Sequence, residues 1–256
     1  MKAVVAPGAV CGAEEPVAVV IPAYNETATI RDIASRALAY APIVIVVDDG
    51  SDDGTVQALS GLPVLALRNP VNRGKGASLM RGARCALELG ATQIITLDGD
   101  GQHQPEDIPQ LLAAARLHPN AIIVGARLTD TIRIPRPRYY ANKVANFWIS
   151  WAAGLRIADS QSGFRLYPAS LWRQPRIGRI TTPGFAFESE VLIETARLGY
   201  ESEIVPIAAV YGRQQRPSHF RPVVDILRIT RMVAWKLISR GLCLRGLYRA
   251  FLRRRT

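Results

Sequence analysis

The stretch Gln93-Ile94-Ile95-Thr96-Leu97-Asp98-Gly99-Asp100 runs from an apolar, β-branched core into two carboxylates separated by a glycine. A short apolar run that ends in a turn cluster is the pattern of a strand buried on both faces. The same design occurs twice earlier. Residues 17–21 are β-branched or small and stop at Pro22, ahead of Tyr24-Asn25-Glu26, and residues 43–47 stop at Asp48-Asp49-Gly50-Ser51. Two further strand patterns lie at 64–67 and 121–124. Between them, apolar residues recur at helical spacing over 27–39, 54–59 and 77–89, the last closed by Gly90. Pro105 opens another helix, with Glu106 and Asp107 in the first turn, where the helix dipole favours them. Strand and helix alternating through short connections predict an α/β fold: a mostly parallel central sheet with helices on both faces. Ligands of such sheets bind beyond the carboxyl ends of the strands. The three polar clusters should therefore converge on one rim.

The second half is less regular. Residues 138–153 read as a helix carrying Trp148 and Trp151, 154–184 as loop, 187–197 as a helix, 204–210 as a strand and 222–240 as a long amphipathic helix. This divides the chain into a leader over 1–16, one folded domain over 17–220 and a basic amphipathic segment over 221–256.

Of the 256 residues, 48% are hydrophobic and 21% charged, the balance of a folded protein rather than a disordered one. Cys11, Cys85 and Cys243 are far apart and form no Cys-x-x-Cys pair, which excludes a disulfide scaffold and a zinc ribbon. The formal net charge is +11, and residues 221–256 hold nine arginines and one lysine against Asp225 alone. So uneven a balance points to a polyanionic partner. Nucleic acid is disfavoured, because the positive charge sits in a terminal helix while acids crowd the predicted rim. No segment is apolar enough to span a membrane, and the N-terminus lacks the pattern of a signal peptide. The chain reads as cytoplasmic and peripheral on the cytoplasmic face of a membrane.

Asp98 and Asp100 are the centre of the chemistry. Two carboxylates two residues apart at a strand end can face the same way. They can hold one hard divalent cation, Mg²⁺ or Mn²⁺, that keeps positions open for phosphate oxygens. Asp-x-Asp alone is common by chance. Asp48 and Asp49 form a second acidic pair, suited either to a nucleobase edge or to capping a turn. Arg73-Gly74-Lys75-Gly76 opens a helix, and Lys75 at a helix N-terminus suits phosphate. It is not a Walker A loop, since Ala77 follows Gly76, and the dinucleotide Gly-x-Gly-x-x-Gly is missing after the first strand. A Gly-rich signature of sugar nucleotidyltransferases would stand where Pro22-Ala23-Tyr24-Asn25-Glu26 is found.

Taken in order, Pro22-Ala23-Tyr24-Asn25-Glu26, Val47-Asp48-Asp49-Gly50-Ser51-Asp52-Asp53-Gly54-Thr55, Asn72-Arg73-Gly74-Lys75-Gly76 and Leu97-Asp98-Gly99-Asp100-Gly101-Gln102-His103 resemble the blocks of family-2 glycosyltransferases. The pattern continues through Gly125-Ala126-Arg127, Asp159-Ser160-Gln161-Ser162-Gly163-Phe164-Arg165 and Glu188-Ser189-Glu190, and looks most like the dolichyl- and polyprenyl-phosphate sugar transferase branch. The resemblance spans about residues 17–213. It implies a GT-A fold, a nucleotide-diphospho-sugar donor, a divalent metal and inversion at the anomeric carbon. By the same resemblance, Pro22, Tyr24 and Glu26 line the nucleotide pocket, and Asp49, with Asp48 beside it, reads base and ribose. Asp98, Gly99 and Asp100 take the diphosphate and the metal, with Gln102 beside the metal. Arg127 and Arg213 lie near phosphates, and Asp159 opens the acceptor-side loop.

A lipid-phosphate acceptor is already an anion and needs no general base; a hydroxyl acceptor needs one. Asp159 is the first candidate for that base and Glu188 the second. The branch's Arg-x-x-Gly-x-Ser-Lys is replaced here by Arg213-Gln214-Gln215-Arg216-Pro217-Ser218-His219, so both acceptor classes stay open. The Gln-x-x-Arg-Trp of processive synthases is missing, and transfer of a single sugar is expected. Within 221–256, the apolar residues of 222–238 suit core packing, whereas Leu244, Leu247, Tyr248 and Phe251 set against Arg245, Arg249 and Arg253 suit an anionic membrane surface.

Overall fold

The computed structural model describes residues 16–126, 136–157, 159–182, 184, 186–207, 222–239 and 241–251, without the side chains of 136–141 and 222–225. The first half follows the predicted alternation: β1 (Val17–Ala23), α1 (Ile30–Ala37), β2 (Ile43–Asp48), α2 (Thr55–Ala58), β3 (Leu65–Arg68), α3 (Lys75–Glu88) and β4 (Gln93–Thr96). A 3₁₀ turn (Pro105–Asp107) leads into α4 (Ile108–Leu117), followed by β5 (Ala121–Ala126) and α5 (Arg136–Ala153). Next come β6 (Arg165–Pro168), α6 (Ala169–Trp172), α7 (Pro175–Gly178), α8 (Ala186–Arg197), β7 (Glu201–Pro206), α9 (Pro222–Ile238) and α10 (Leu244–Phe251).

The seven strands form one sheet in the order β3-β2-β1-β4-β6-β5-β7. All pair in parallel except β6, which runs antiparallel between β4 and β5. Sequence reading leaves 154–184 as loop and so misses β6, α6 and α7. These elements are only four residues each, too short for a periodic signal to rise above the turns around them. The strand expected at 204–210 begins earlier, at Glu201, where Glu201, Ser202 and Glu203 disguise a strand at the sheet edge.

Alternate residues of each strand feed two apolar layers. On one face Ala18, Val20, Ile45, Val47, Ile94, Ile122, Val124 and Tyr167 pack with α3, α5, α8 and α9. On the other Val19, Ile21, Val44, Val46, Ile95, Ile123 and Leu166 pack with α1 and α4. Helix α3 lies very close to the sheet: a Cβ on Gly82 would stand 2.3 Å from Val20 Cγ1 and 3.1 Å from Val47 Cγ2.

Helix α9 buries Ile229, Met232, Val233 and Leu237 in the first layer, in keeping with the core-packing reading of 222–238. Its Lys236 Nζ sits 2.7 Å from Glu190 Oε1 and 2.6 Å from Glu194 Oε1 on α8. Burial acts to raise the Glu194 pKa, but Lys236 and Arg197 outweigh it and hold the carboxyl below the ordinary range. A left-handed turn through Gly241, Leu242 and Cys243 reverses the chain into α10. There Gly246 and Ala250 face α5, Trp151 Nε1 donates to Leu242 O at 2.9 Å, and Phe251 stacks on Phe147 at 5.0 Å. Leu244, Tyr248 and Phe251 remain exposed.

Gly82→Ala is expected to cost about 1–3 kcal/mol, because the new methyl must push Val20 or lift α3 from the sheet. Urea unfolding of the two proteins would show it as a lower midpoint, and an unchanged midpoint would mean that α3 lifts freely.

Candidate active site

The parallel strands bring three loops to one rim, and hydrogen bonds between loops lock them. Asn25 N and Glu26 N, after β1, donate to Ser51 Oγ at 2.8 Å and Thr55 Oγ1 at 2.9 Å, after β2. Asp52 N returns a bond to Asn25 Oδ1 at 3.1 Å, which holds Asn25 in a left-handed conformation. Thr29 Oγ1 donates to Gly99 O at 2.6 Å, and a Cβ on Gly99 would stand 3.2 Å from Pro22 O and 3.6 Å from Glu26 Cγ. Pro22, Glu26 and Gly99 thus form one wall, half-buried and open to solvent at Tyr24, Asn25 and Glu26.

Asp48 and Asp49 reach the same rim but are buried. Asp48 accepts from Ser51 N at 3.1 Å and pairs with Arg68 Nε at 3.3 Å. Asp49 accepts from Asn69 Nδ2 at 2.7 Å, Arg73 N at 3.0 Å and Gly74 N at 2.7 Å. Its carboxylate therefore shapes the loop that enters α3, an alternative to a base-edge role that the residue pattern had left open.

That loop delivers Lys75. Its Nζ stands 2.6 Å from Asp98 Oδ1 and 3.0 Å from Glu188 Oε1, joining the end of β4 to the first turn of α8. Burial works against the ammonium, yet the two carboxylates overcome it and hold Lys75 above the ordinary lysine range. The expected phosphate-binding lysine thus faces two acids. Buried His103 lies on the far side of Asp98, with Nδ1 3.9 Å from Oδ2 and its ring 5.6 Å from Phe164. Asp100 is half-buried, and its Oδ1 accepts from Gln102 N at 3.0 Å, so Gln102 lies beside it.

The loop opened by Asp159 enters because β6 is reversed: its N-terminal end, at Arg165, lies opposite the carboxyl end of β4 at Thr96. Asp159 Oδ1 accepts from Gln161 N at 3.0 Å and Ser162 N at 3.1 Å, capping the turn. Asn146 on α5 receives both N–H and Oγ of Ser160, and Ser162 Oγ donates to Gly125 O at 2.5 Å. Thr96 Oγ1 donates to Gly163 O at 2.7 Å. Gly163 presses on the acid–lysine pair, for a Cβ there would stand 2.5 Å from Asp98 Oδ2 and 2.8 Å from Lys75 Nζ. Glu188 is buried and committed to Lys75, which removes it from the role of an open proton acceptor. Arg165 is the residue that sequence reading undervalued. It is wholly buried and donates to Ser162 O, Ser160 O and Glu188 O at 2.7–2.9 Å. Two signals were available: its place at the end of the Asp159–Arg165 block, and an arginine within the apolar run Phe164-Arg165-Leu166-Tyr167. Arg127 and Arg213 lie outside the described residues.

Among the described residues no cluster of three or more His, Cys, Asp or Glu could hold a metal ion by itself. The donor set at the rim is nonetheless suited to one: carboxylate oxygens on Asp98 and Asp100, and an amide on Gln102, are the hard ligands that Mg²⁺ and Mn²⁺ take when substrate oxygens and water supply the rest.

Residues 18–170 match the sequence pattern of Glycosyl transferase family 2. The chain is 32% identical over 206 residues to the undecaprenyl-phosphate mannosyltransferase of Micrococcus luteus, covering 75% of this chain and 82% of that one. It is 30% identical over 230 residues to the UDP-N-acetylglucosamine–dolichyl-phosphate N-acetylglucosaminyltransferase of Methanococcus voltae, covering 78% and 87%. Among solved structures, glucosyl-3-phosphoglycerate synthase from Mycobacterium tuberculosis, in complex with Mn²⁺, UDP-glucose and phosphoglyceric acid, superposes with a TM-score of 0.65 at 21% identity. The match covers 92% of this chain and 85% of that one.

Gly163→Ala forces either Asp98 or Lys75 aside. The expected result is a small loss of stability, about 1–3 kcal/mol, with a larger proportional loss of nucleotide binding. Thermal unfolding and calorimetric titration on the same preparation would separate the two, and unimpaired binding would show that the loop yields instead.

Proposed function

The chain belongs to glycosyl transferase family 2 and has its GT-A fold; on that footing we propose that it moves a single sugar, with inversion, from a UDP- or GDP-linked donor to a lipid-phosphate acceptor at a membrane. The observation that carries this reading is the meeting of Asp98, just beyond β4, with Lys75 at the head of α3 and Gly163 of the loop before β6. Relatives named for undecaprenyl phosphate and dolichyl phosphate support the acceptor class.

In this reading Pro22, Tyr24 and Glu26 line the nucleotide pocket, and Asp48 and Asp49 build its floor by fixing the loops at 50–51 and 72–74. Asp98 and Asp100, with Gln102 beside them, would hold a divalent metal, Mg²⁺ or Mn²⁺, which neutralises charge on the departing diphosphate when bound. Lys75 adds positive charge at the head of α3, where the helix N-terminus also favours phosphate. Arg127 and Arg213 are assigned to the donor and acceptor phosphates. The state of the two candidate bases favours an anionic acceptor. Asp159 already accepts two backbone N–H groups and Glu188 is paired with Lys75. A phosphate nucleophile requires neither to take a proton; were the acceptor a hydroxyl, Asp159 would be the base.

The membrane partner is assigned to the C-terminal segment. No helix among the described residues is long and apolar enough to cross a bilayer. Helix α10 exposes Leu244, Tyr248 and Phe251, and Leu244 and Tyr248 share one shallow cavity with Arg245 and Arg249. Exposed Phe147 and Trp148 on α5 extend the apolar surface. Aromatic and basic groups side by side suit the headgroup region of an anionic cytoplasmic leaflet.

Calorimetric titration with UDP, GDP and their sugar conjugates is expected to give metal-dependent binding of one nucleotide series, lost with EDTA and in Asp100→Ala. Binding of none, with the protein folded and Mn²⁺ present, contradicts the donor assignment. Sedimentation with phosphatidylglycerol vesicles is expected to retain the protein at low salt and to release it on Arg245→Glu with Arg249→Glu, each arginine contributing about 1 kcal/mol. Equal retention by neutral phosphatidylcholine vesicles counts against the electrostatic part.

A further inference from the structure

We infer that Lys75 is a tethered cation that stands in for the divalent metal on Asp98 until the donor arrives, and so couples metal binding to nucleotide-diphosphate binding. The inference rests on the donor site assigned above and assigns a positioning role to a side chain within it.

The ammonium is held between two carboxylates, 2.6 Å from Asp98 Oδ1 and 3.0 Å from Glu188 Oε1. Its surroundings keep it there. Asp98 and Lys75 are each about one-fifth exposed and Glu188 almost wholly buried, so attraction between them is weakly screened. Gly163 closes the third side, with no space for even a methyl group between its Cα and the pair. The Gly163 backbone cannot retreat easily, because Thr96 Oγ1 holds its carbonyl and Arg165 holds the carbonyls of Ser160 and Ser162.

A divalent ion approaching Asp98 therefore meets a carboxylate already occupied by a positive charge. Two cations on one carboxylate repel each other, and low exposure makes the repulsion costly. Metal alone should bind weakly. A diphosphate changes the balance. Lys75 is the first residue of α3, its head is a point charge on a flexible four-carbon stem, and the helix N-terminus beside it attracts anions. The ammonium can turn from Asp98 to a phosphate oxygen and leave the carboxylate to the metal. Glu188 steadies the ammonium from the other side, so that Asp98 does not hold it alone. Metal and nucleotide then strengthen each other's binding, by the same factor in either order.

The test is Mn²⁺ binding followed by electron paramagnetic resonance of the free ion, with and without UDP or GDP. For Lys75→Met, Mn²⁺ alone is expected to bind about tenfold more tightly than to the wild type. With saturating nucleoside diphosphate the difference should largely close, because the wild-type ammonium has by then left Asp98. An equal tightening in both conditions, or no change in either, overturns the inference, since removal of a nearby positive charge as such would tighten Mn²⁺ binding alike in both. Glu188→Gln supplies a second reading should Lys75→Met fail to fold. With the Glu188 charge removed the ammonium is drawn further onto Asp98, so Mn²⁺ alone should bind more weakly while binding with nucleotide is unchanged; equal weakening in both conditions again overturns the inference. If wild type, Asp98→Asn and Asp100→Asn take up Mn²⁺ alike in every condition, the donor-site reading itself fails and this inference falls with it. Retained Asp98 dependence with an equal Lys75→Met effect in both conditions defeats the coupling alone.

Discussion

A guanidinium with no contact to water holds the two halves of the rim together. Burying a charged group costs several kcal/mol unless hydrogen bonds and nearby opposite charge answer it. Arg165 answers it with three backbone carbonyls, from Ser160, Ser162 and Glu188, and with the field of Glu188 and Asp159. Those carbonyls belong to separate pieces of the chain, the loop before β6 and the first turn of α8. By bridging them, the arginine sets where both pieces sit. Gly163 then meets Asp98 and Lys75 at close contact, and Glu188 comes within reach of the same ammonium. Cut to a neutral side chain, this position would take the side-chain donor from the Ser160 and Ser162 carbonyls, loosen the loop from α8 and leave a gap.

The acids of the rim divide by exposure. Asp48 and Asp49, fully buried, spend their oxygens on Ser51, Arg68, Asn69, Arg73 and Gly74. Asp98 and Asp100, half-buried, lie at the open edge. Both pairs follow a parallel strand and both read alike in the sequence. What separates them is the neighbouring loop. The 69–74 segment folds over the end of β2 and takes up the Asp49 oxygens, whereas beyond β4 the close neighbour is Gly163, which has no side chain to cover Asp98.

The parallel half of the sheet was legible because buried parallel strands are continuous apolar runs and their helices keep a clear period. The rim was legible for the same reason: strand ends announce themselves as abrupt changes from Val and Ile to Asp, Gly and Asn. The four motif blocks matched a known family and carried the donor side with them. The acceptor side was harder. Strand β6 is four residues long, and the burial of its first residue, Arg165, could not be read from its place in the Asp159–Arg165 block. The role of Glu188 was also hidden, since its pairing with Lys75 spans more than a hundred residues. The C-terminal segment divided as its composition suggested. Apolar residues of α9 complete a core layer, while α10 keeps Leu244, Tyr248 and Phe251 at the surface.

Strand β6 runs against its neighbours, so the loop that meets the donor side arrives from the opposite chain direction. Loops after the parallel strands are each tied to the helix that follows, and a change in their length would move that helix across the sheet. The segment before β6 moves no helix of the sheet: it runs from α5 into a strand whose register is fixed on both edges, and Asn146, Gly125 and Arg165 anchor only its second half, from Ser160 onward. Insertions ahead of Asp159 would change what stands over the rim without shifting a helix of the sheet. One reversed strand thus leaves the fold a place where its surface can vary while its layers stay in register.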